Sequence, residues 1–166
     1  MSQVFFDNAQ LKPGRHCHQE LVLEVTWGVY KSITDLMGEK GWEVVWKTGE
    51  YIWQDLKREY NITDTDPLAV FQKVGKWLTE VGYVREIEVE MPNENELTYV
   101  MDTSAVRPSV MRLKAEKAVL PHWSTAIIMA GLRDNCGLIA ETDLSKPEIM
   151  SPTRTREYWK LRKVDK

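Results

Sequence analysis

"REIEVEMPNENELTYVMD", residues 85–102, is where the chain changes period. Ile87, Val89 and Met91 alternate with Glu86, Glu88 and Glu90, and Leu97, Tyr99 and Met101 alternate with Thr98, Val100 and Asp102. Strict alternation puts successive side chains on opposite faces of a strand. "PNEN", residues 92–95, supplies the turn between the two runs. The stretch predicts an antiparallel hairpin with one buried face, which some other layer has to cover.

The covering layer lies upstream. From about His18, Leu23, Trp27 and Tyr30 form one helical stripe, and Val22, Val25, Val29, Ile33 and Leu36 form a second beside it. That width predicts a helix buried around more than half its circumference. "GEKG" (38–41) breaks it, and Trp42 to about Tyr60 reads as a second helix with Val45, Trp46, Gly49, Ile52, Trp53 and Leu56 on one face. A third helix follows, with Asp66 as N-cap, Pro67 in the first turn and Gly82 as terminator.

Beyond the hairpin, "SVMRLKAEKAVLPHWSTAIIMAGLRDN" returns to helical period with an interruption at Pro121, closed by Asn135 or Gly137. "CGLIAETD" (136–143) and "REYWKLRKV" (156–164) read as the third and fourth strands. The glutamates of the first strand and Lys160 and Arg162 of the last predict that those two strands are neighbours, since opposite charges favour facing positions. The fold class is therefore α+β, with three N-terminal helices and a β-β-α-β-β unit built on a small antiparallel sheet. Residues 1–17 read as an irregular lead, and 18–166 as a single domain.

Composition narrows the function classes. Net charge is −3 and no basic run or arm is present, which argues against a nucleic-acid partner. The N-terminus lacks the pattern of a secretory signal, and the longest apolar run, "AIIMAGL" (126–132), is far shorter than a membrane span. Two cysteines, Cys17 and Cys136, build no disulfide framework. These features predict a cytoplasmic protein with no membrane partner. Seven tryptophans suit either a Trp-rich core or the wall of a pocket.

Taken together, the helix pair "VTWGVYKSITDLMGEKGWEVVWKTGEYIWQDL", the hairpin "VREIEVEMPNENELTYVMDTSAVRP", "LPHWSTAIIMAGL" and the pair "CGLIAETDL…YWKLRKV" resemble the V4R superfamily of hydrocarbon-binding or vinyl-reductase-like domains. The likeness runs over residues 19–164 by order of elements, and is nearest to the L-2-amino-thiazoline-4-carboxylate hydrolase-like branch. It implies an apolar pocket between helices and sheet that holds a small hydrophobic ligand, with enzymes among the relatives. Many relatives carry cysteines after the second strand and near the C-terminus; here those places read "DTSAVRPS" and "PEIMSPTRTREYW".

Several residues are candidates for the chemistry. "GRHCHQE" (14–20) gathers His16, Cys17 and His18, but zinc needs about four ligands and no matching C-x-x-C or H-x-x-x-H accompanies them, so no metal and no cofactor is expected. His122, after Pro121 and before Trp123, opens an apolar helix, where a neutral imidazole could hold a proton or a ligand. Cys136 is a nucleophile only if its pKa is lowered. Asp102, Arg107 and Glu141 could grip the polar end of a ligand if they turn inward. Gly49, between Trp46 and Trp53, is either a close helix contact or a notch for a ligand.

Three function classes stay open. One is a domain binding a small, largely apolar molecule, walled by Trp27, Trp46, Trp53, Trp77 and Trp123, with His122 or Arg107 as anchor. Another is a hydrolase of a cyclic amide or amidine, with His122 as base and Cys136 or Asp102 assisting. The third is an interaction subunit forming a homodimer. An indole-lined void favours the first, a convergent His–Cys or His–carboxylate contact the second, and a filled core with an exposed apolar helix face the third.

Overall fold

A computed structural model describes residues 16–103, 106–142 and 148–164, with side chains from residue 21 onward. The elements are α1 (His16–Met37), a short 3-10 turn (Gly38–Lys40), α2 (Gly41–Glu59), α3 (Pro67–Glu80), β1 (Glu86–Asn93), β2 (Glu96–Asp102), α4 (Arg107–Ala115), α5 (Trp123–Cys136), β3 (Leu138–Glu141), β4 (Glu148–Ile149) and β5 (Arg154–Lys163). The class is α+β. Helix α3 begins as the sequence predicts, with the Asp66 carboxylate accepting from the Ala69 amide at 2.8 Å.

The hairpin forms the start of a five-stranded antiparallel sheet in the order β1-β2-β5-β3, with β4 also on β5. The first and last strands are thus not neighbours, because β2 lies between them. Arg162 pairs with Glu141 of β3 instead, and it is Arg154, before the predicted strand, that reaches past β2 to Glu88 and comes within 3.9 Å of Glu86. Register Leu97↔Trp159 and Val89↔Tyr99 places Ile87, Val89, Leu97, Tyr99, Met101, Trp159 and Leu161 on one buried face.

Helices α3 and α5 cover that face, and α2 lies on α5. A smaller core forms around Tyr30, Val45, Leu113, Val119 and Ala126, where α1, α2, α4 and α5 converge. None of the described helices is long and apolar enough to cross a membrane.

Four expectations need correction. His16 and Cys17 belong to α1; the rest of the lead, and the side chains of His16, Cys17 and His18, lie outside what is described. Helix α1 is not buried over half its girth: Thr26 and Tyr30 are buried, but Val22, Val25, Val29 and Leu36 are exposed, because α1 packs chiefly on α4. The interruption at Pro121 is present but longer than expected: it begins at Glu116 and separates two helices. Lys117 takes a left-handed φ of 53°, and paired bonds Ala118 N→Leu113 O (3.0 Å) and Lys117 N→Lys114 O (3.1 Å) close α4. Cys136 ends α5 instead of starting a strand, and left-handed Gly137 (φ 64°) makes the cap.

Gly49 is a close contact and not a notch. A Cβ built there would stand 2.4 Å from the Ala126 Cβ and 2.6 Å from its carbonyl carbon, so α2 and α5 touch backbone to backbone. Gly49→Ala is expected to lower stability by about 2 kcal/mol, since overpacking here outweighs the helix-propensity gain. Gly28, with nothing within 4 Å of a new Cβ, is the control. Gly28→Ala should raise stability by about 0.5–1 kcal/mol, read from urea midpoints at unchanged slope.

Candidate functional site

Helix α5 carries the candidate chemistry at both ends and along one flank. Its N-terminus is an aromatic cluster. His122 lies 5.5 Å from Trp42 between ring centroids, and Trp123 is 5.5 Å from Tyr30 and 5.8 Å from Tyr83. The Tyr83 hydroxyl donates to the Pro121 carbonyl at 3.2 Å, fixing the entry of α5 against the end of α3. Burial pushes the His122 imidazole down to about 4, so it is neutral near pH 7. Burial likewise raises the Tyr30 and Tyr83 hydroxyls well above their usual range.

A second polar group lies on the inner face of the sheet. Glu157 alternates with Trp159 and Leu161 and is buried with them. The Trp159 indole donates to its carboxylate at 3.1 Å. Burial raises the Glu157 pKa, against the lowering effect of its neighbours Tyr99 and Trp159. The Tyr99 hydroxyl lies beside Glu157 and Thr125, fully buried, without a partner in hydrogen-bonding geometry. Continuing the β5 alternation back from Trp159 by two residues was the signal that would have found Glu157.

The third feature is a groove of about 330 Å3 between α2, α5 and β3. Trp46, Ala126, Met129, Leu138 and Ala140 give it apolar walls, with Glu50 and Arg133 as its charged groups. A neighbouring groove of about 490 Å3 shares Glu50, Ala130 and Arg133 and is lined further by Lys47, Tyr51, Trp53, Gln54 and Asp134. Both are open to solvent. Arg133 and Met129 carry no sequence motif; they matter only because β3 folds back beside them.

The remaining candidates are dispersed. Trp53 is wholly buried, its indole donating to Asp134 at 3.0 Å. Trp27 is covered by the Arg112 guanidinium at 3.4 Å and donates to Glu116 at 3.2 Å. Trp77 is half-buried against the main core. Arg107 opens α4, its backbone amide bonded to Thr103 O at 3.1 Å. Asp102 accepts from Thr153 at 3.3 Å, and Glu141 takes Arg162 at 2.5 Å on the outer side of the sheet. Burial, with Asp66 and Asp64 nearby, pushes the Cys136 thiol up to about 11, so it is protonated at neutral pH. His122 and Cys136 stand at opposite ends of α5, roughly 20 Å apart at 1.5 Å per residue. Asp102 belongs to the face of β2 opposite Met101. The structure does not bring these three together.

No family model, curated protein or solved structure matches the chain.

His122 and Glu157 give stability two opposed pH dependences. The unfolded His122 takes up a proton near 6.5 and the folded one near about 4, so its contribution is full above 6.5 and is lost as pH falls between those values. The unfolded Glu157 titrates near 4.5 and the folded one higher, so its contribution is full below 4.5 and is lost as pH rises through the folded value. Urea unfolding across this range should show His122→Phe flattening the acid limb, by up to about 3 kcal/mol. Glu157→Gln should raise stability at neutral pH and change little below pH 4.5.

Proposed function

We propose that this protein is a small-molecule-binding domain whose ligand lies in the groove between α2, α5 and β3. The observation that carries the reading is the groove itself: an apolar recess of about 330 Å3, walled by Trp46 and Met129, where helices meet the edge of the sheet. Ligand sites favour recesses of this size with few polar groups. At about 30 Å3 per water-sized group, the space holds roughly ten non-hydrogen atoms. The V4R resemblance implies the same class of ligand in a pocket between helices and sheet; here the recess lies on the flank of the core. A cytoplasmic, reducing setting fits this reading, with Cys136 kept as a thiol.

A neutral apolar probe tests it. 1-Decanol should bind saturably, with a Kd of roughly tens of micromolar to a millimolar for so few atoms, and change the emission of Trp46. Ala140→Leu, which fills the groove, should weaken binding about tenfold with circular dichroism unchanged. Absence of saturable binding, or binding indifferent to Ala140→Leu, would overturn the assignment.

A second reading is favoured by α1. Val22, Val25 and Val29 are about half exposed, in one stripe on a helix that packs chiefly on α4. Such a stripe is suited to a second copy of the chain, so the binding domain is read as a homodimer through α1. Light scattering after size-exclusion chromatography should give twice the chain mass, and Val25→Asp should return it to the monomer. A monomeric parent would remove this second reading and leave the first in place.

A further inference from the structure

We infer that the groove's ligand is an amphipathic carboxylate and that Arg133 is the residue that anchors its head group. This rests on the groove being the ligand site and adds the chemical class of the ligand. The two recesses differ in character and meet at Glu50, Ala130 and Arg133. One side offers Trp46, Met129, Leu138 and Ala140; the other offers Lys47, Tyr51, Gln54 and Asp134. A molecule lying across the junction keeps an apolar tail on the first and a polar head at the second.

The charges at the junction set the sign of that head. Glu50 is taken by Lys47 at 2.7 Å. Asp134 is held by Lys57 at 2.8 Å and also accepts from the Trp53 indole at 3.0 Å. The Lys57 contact and the Trp53 hydrogen bond hold its carboxyl below the usual range. Both acids are therefore matched. Arg133, in the last turn of α5, has no hydrogen bond or ion pair among the described residues. Among the described residues at the junction, Arg133 is therefore the one unmatched cation, beside an apolar floor.

A guanidinium presents paired N–H donors that fit a carboxylate side by side. A single free cation flanked by Glu50 and Asp134 matches a monoanion better than a doubly charged phosphate. A free medium-chain carboxylic acid is the occupant that satisfies both the volume and the charge.

Titration calorimetry at low salt and pH 7.5 with decanoate and 1-decanol, both as monomers, separates the possibilities. Wild-type protein should bind decanoate about 5–10-fold more tightly than 1-decanol. Arg133→Gln should erase that preference, bringing decanoate affinity down to that of 1-decanol, whereas Arg133→Lys should keep part of it. The preference should shrink at 0.5 M salt, because the pair is exposed. Equal binding of the two probes to the wild type overturns the carboxylate assignment while the groove stands as a ligand site. A preference that survives Arg133→Gln overturns Arg133 as the anchor. If neither probe binds, the groove and the carboxylate fall together.

Discussion

The contact between Gly49 and Ala126 fixes the arrangement of everything around it. With no side chain at Gly49, α2 sits directly on the backbone of α5. That approach presses Trp53 onto Gly131, where a Cβ would stand 3.0 Å from the indole ring. Trp53 in turn joins Phe71, Tyr99, Trp159 and the isoleucines of α5 in one continuous core. Close packing of this kind leaves little interior space. Trp53 of α2 and the rings of the sheet therefore act as filling, and accessible apolar surface lies on the flank where α2, α5 and β3 meet.

Helix α5 becomes the axis of the domain as a result. One side faces the sheet, another takes α2, and its two ends lie in different environments. The N-terminal end is enclosed by aromatic rings that keep His122 neutral. At the C-terminal end burial, with Asp66 and Asp64 nearby, keeps Cys136 protonated. Chemistry that needs an imidazole and a thiol together is not available to a straight helix of 14 residues. Recognition along its flank is available, because Met129, Ala130 and Arg133 follow one another at helical spacing on a single face.

The hairpin and the α+β class were legible because their signals are local. Alternation at 86–91 and 97–102 and the Asp66–Pro67 cap depend on residues a few positions apart. What failed depended on distant partners. The valines of α1 read as core because the sequence shows an apolar stripe and not whether anything meets it. The end of α4 was missed because Lys117 occupies a left-handed position usually held by glycine. Gly49 allowed two readings until Ala126 was placed against it. The groove was invisible for the same reason: its walls come from three elements, and Arg133 looks like any surface cation. Trp46 alone among the proposed indole walls lines that groove, while Trp53 and Trp77 pack on the main core and Trp27 beneath Arg112.

The most direct test is where a bound apolar molecule sits. Protein labelled at methyl groups, mixed with 1-decanol, should show intermolecular nuclear Overhauser effects to the Met129 ε-methyl and the Leu138 δ-methyls. Effects to Ile127, Val74 or Leu97 instead would place the ligand inside the core, and contradict a filled interior built on the Gly49–Ala126 contact.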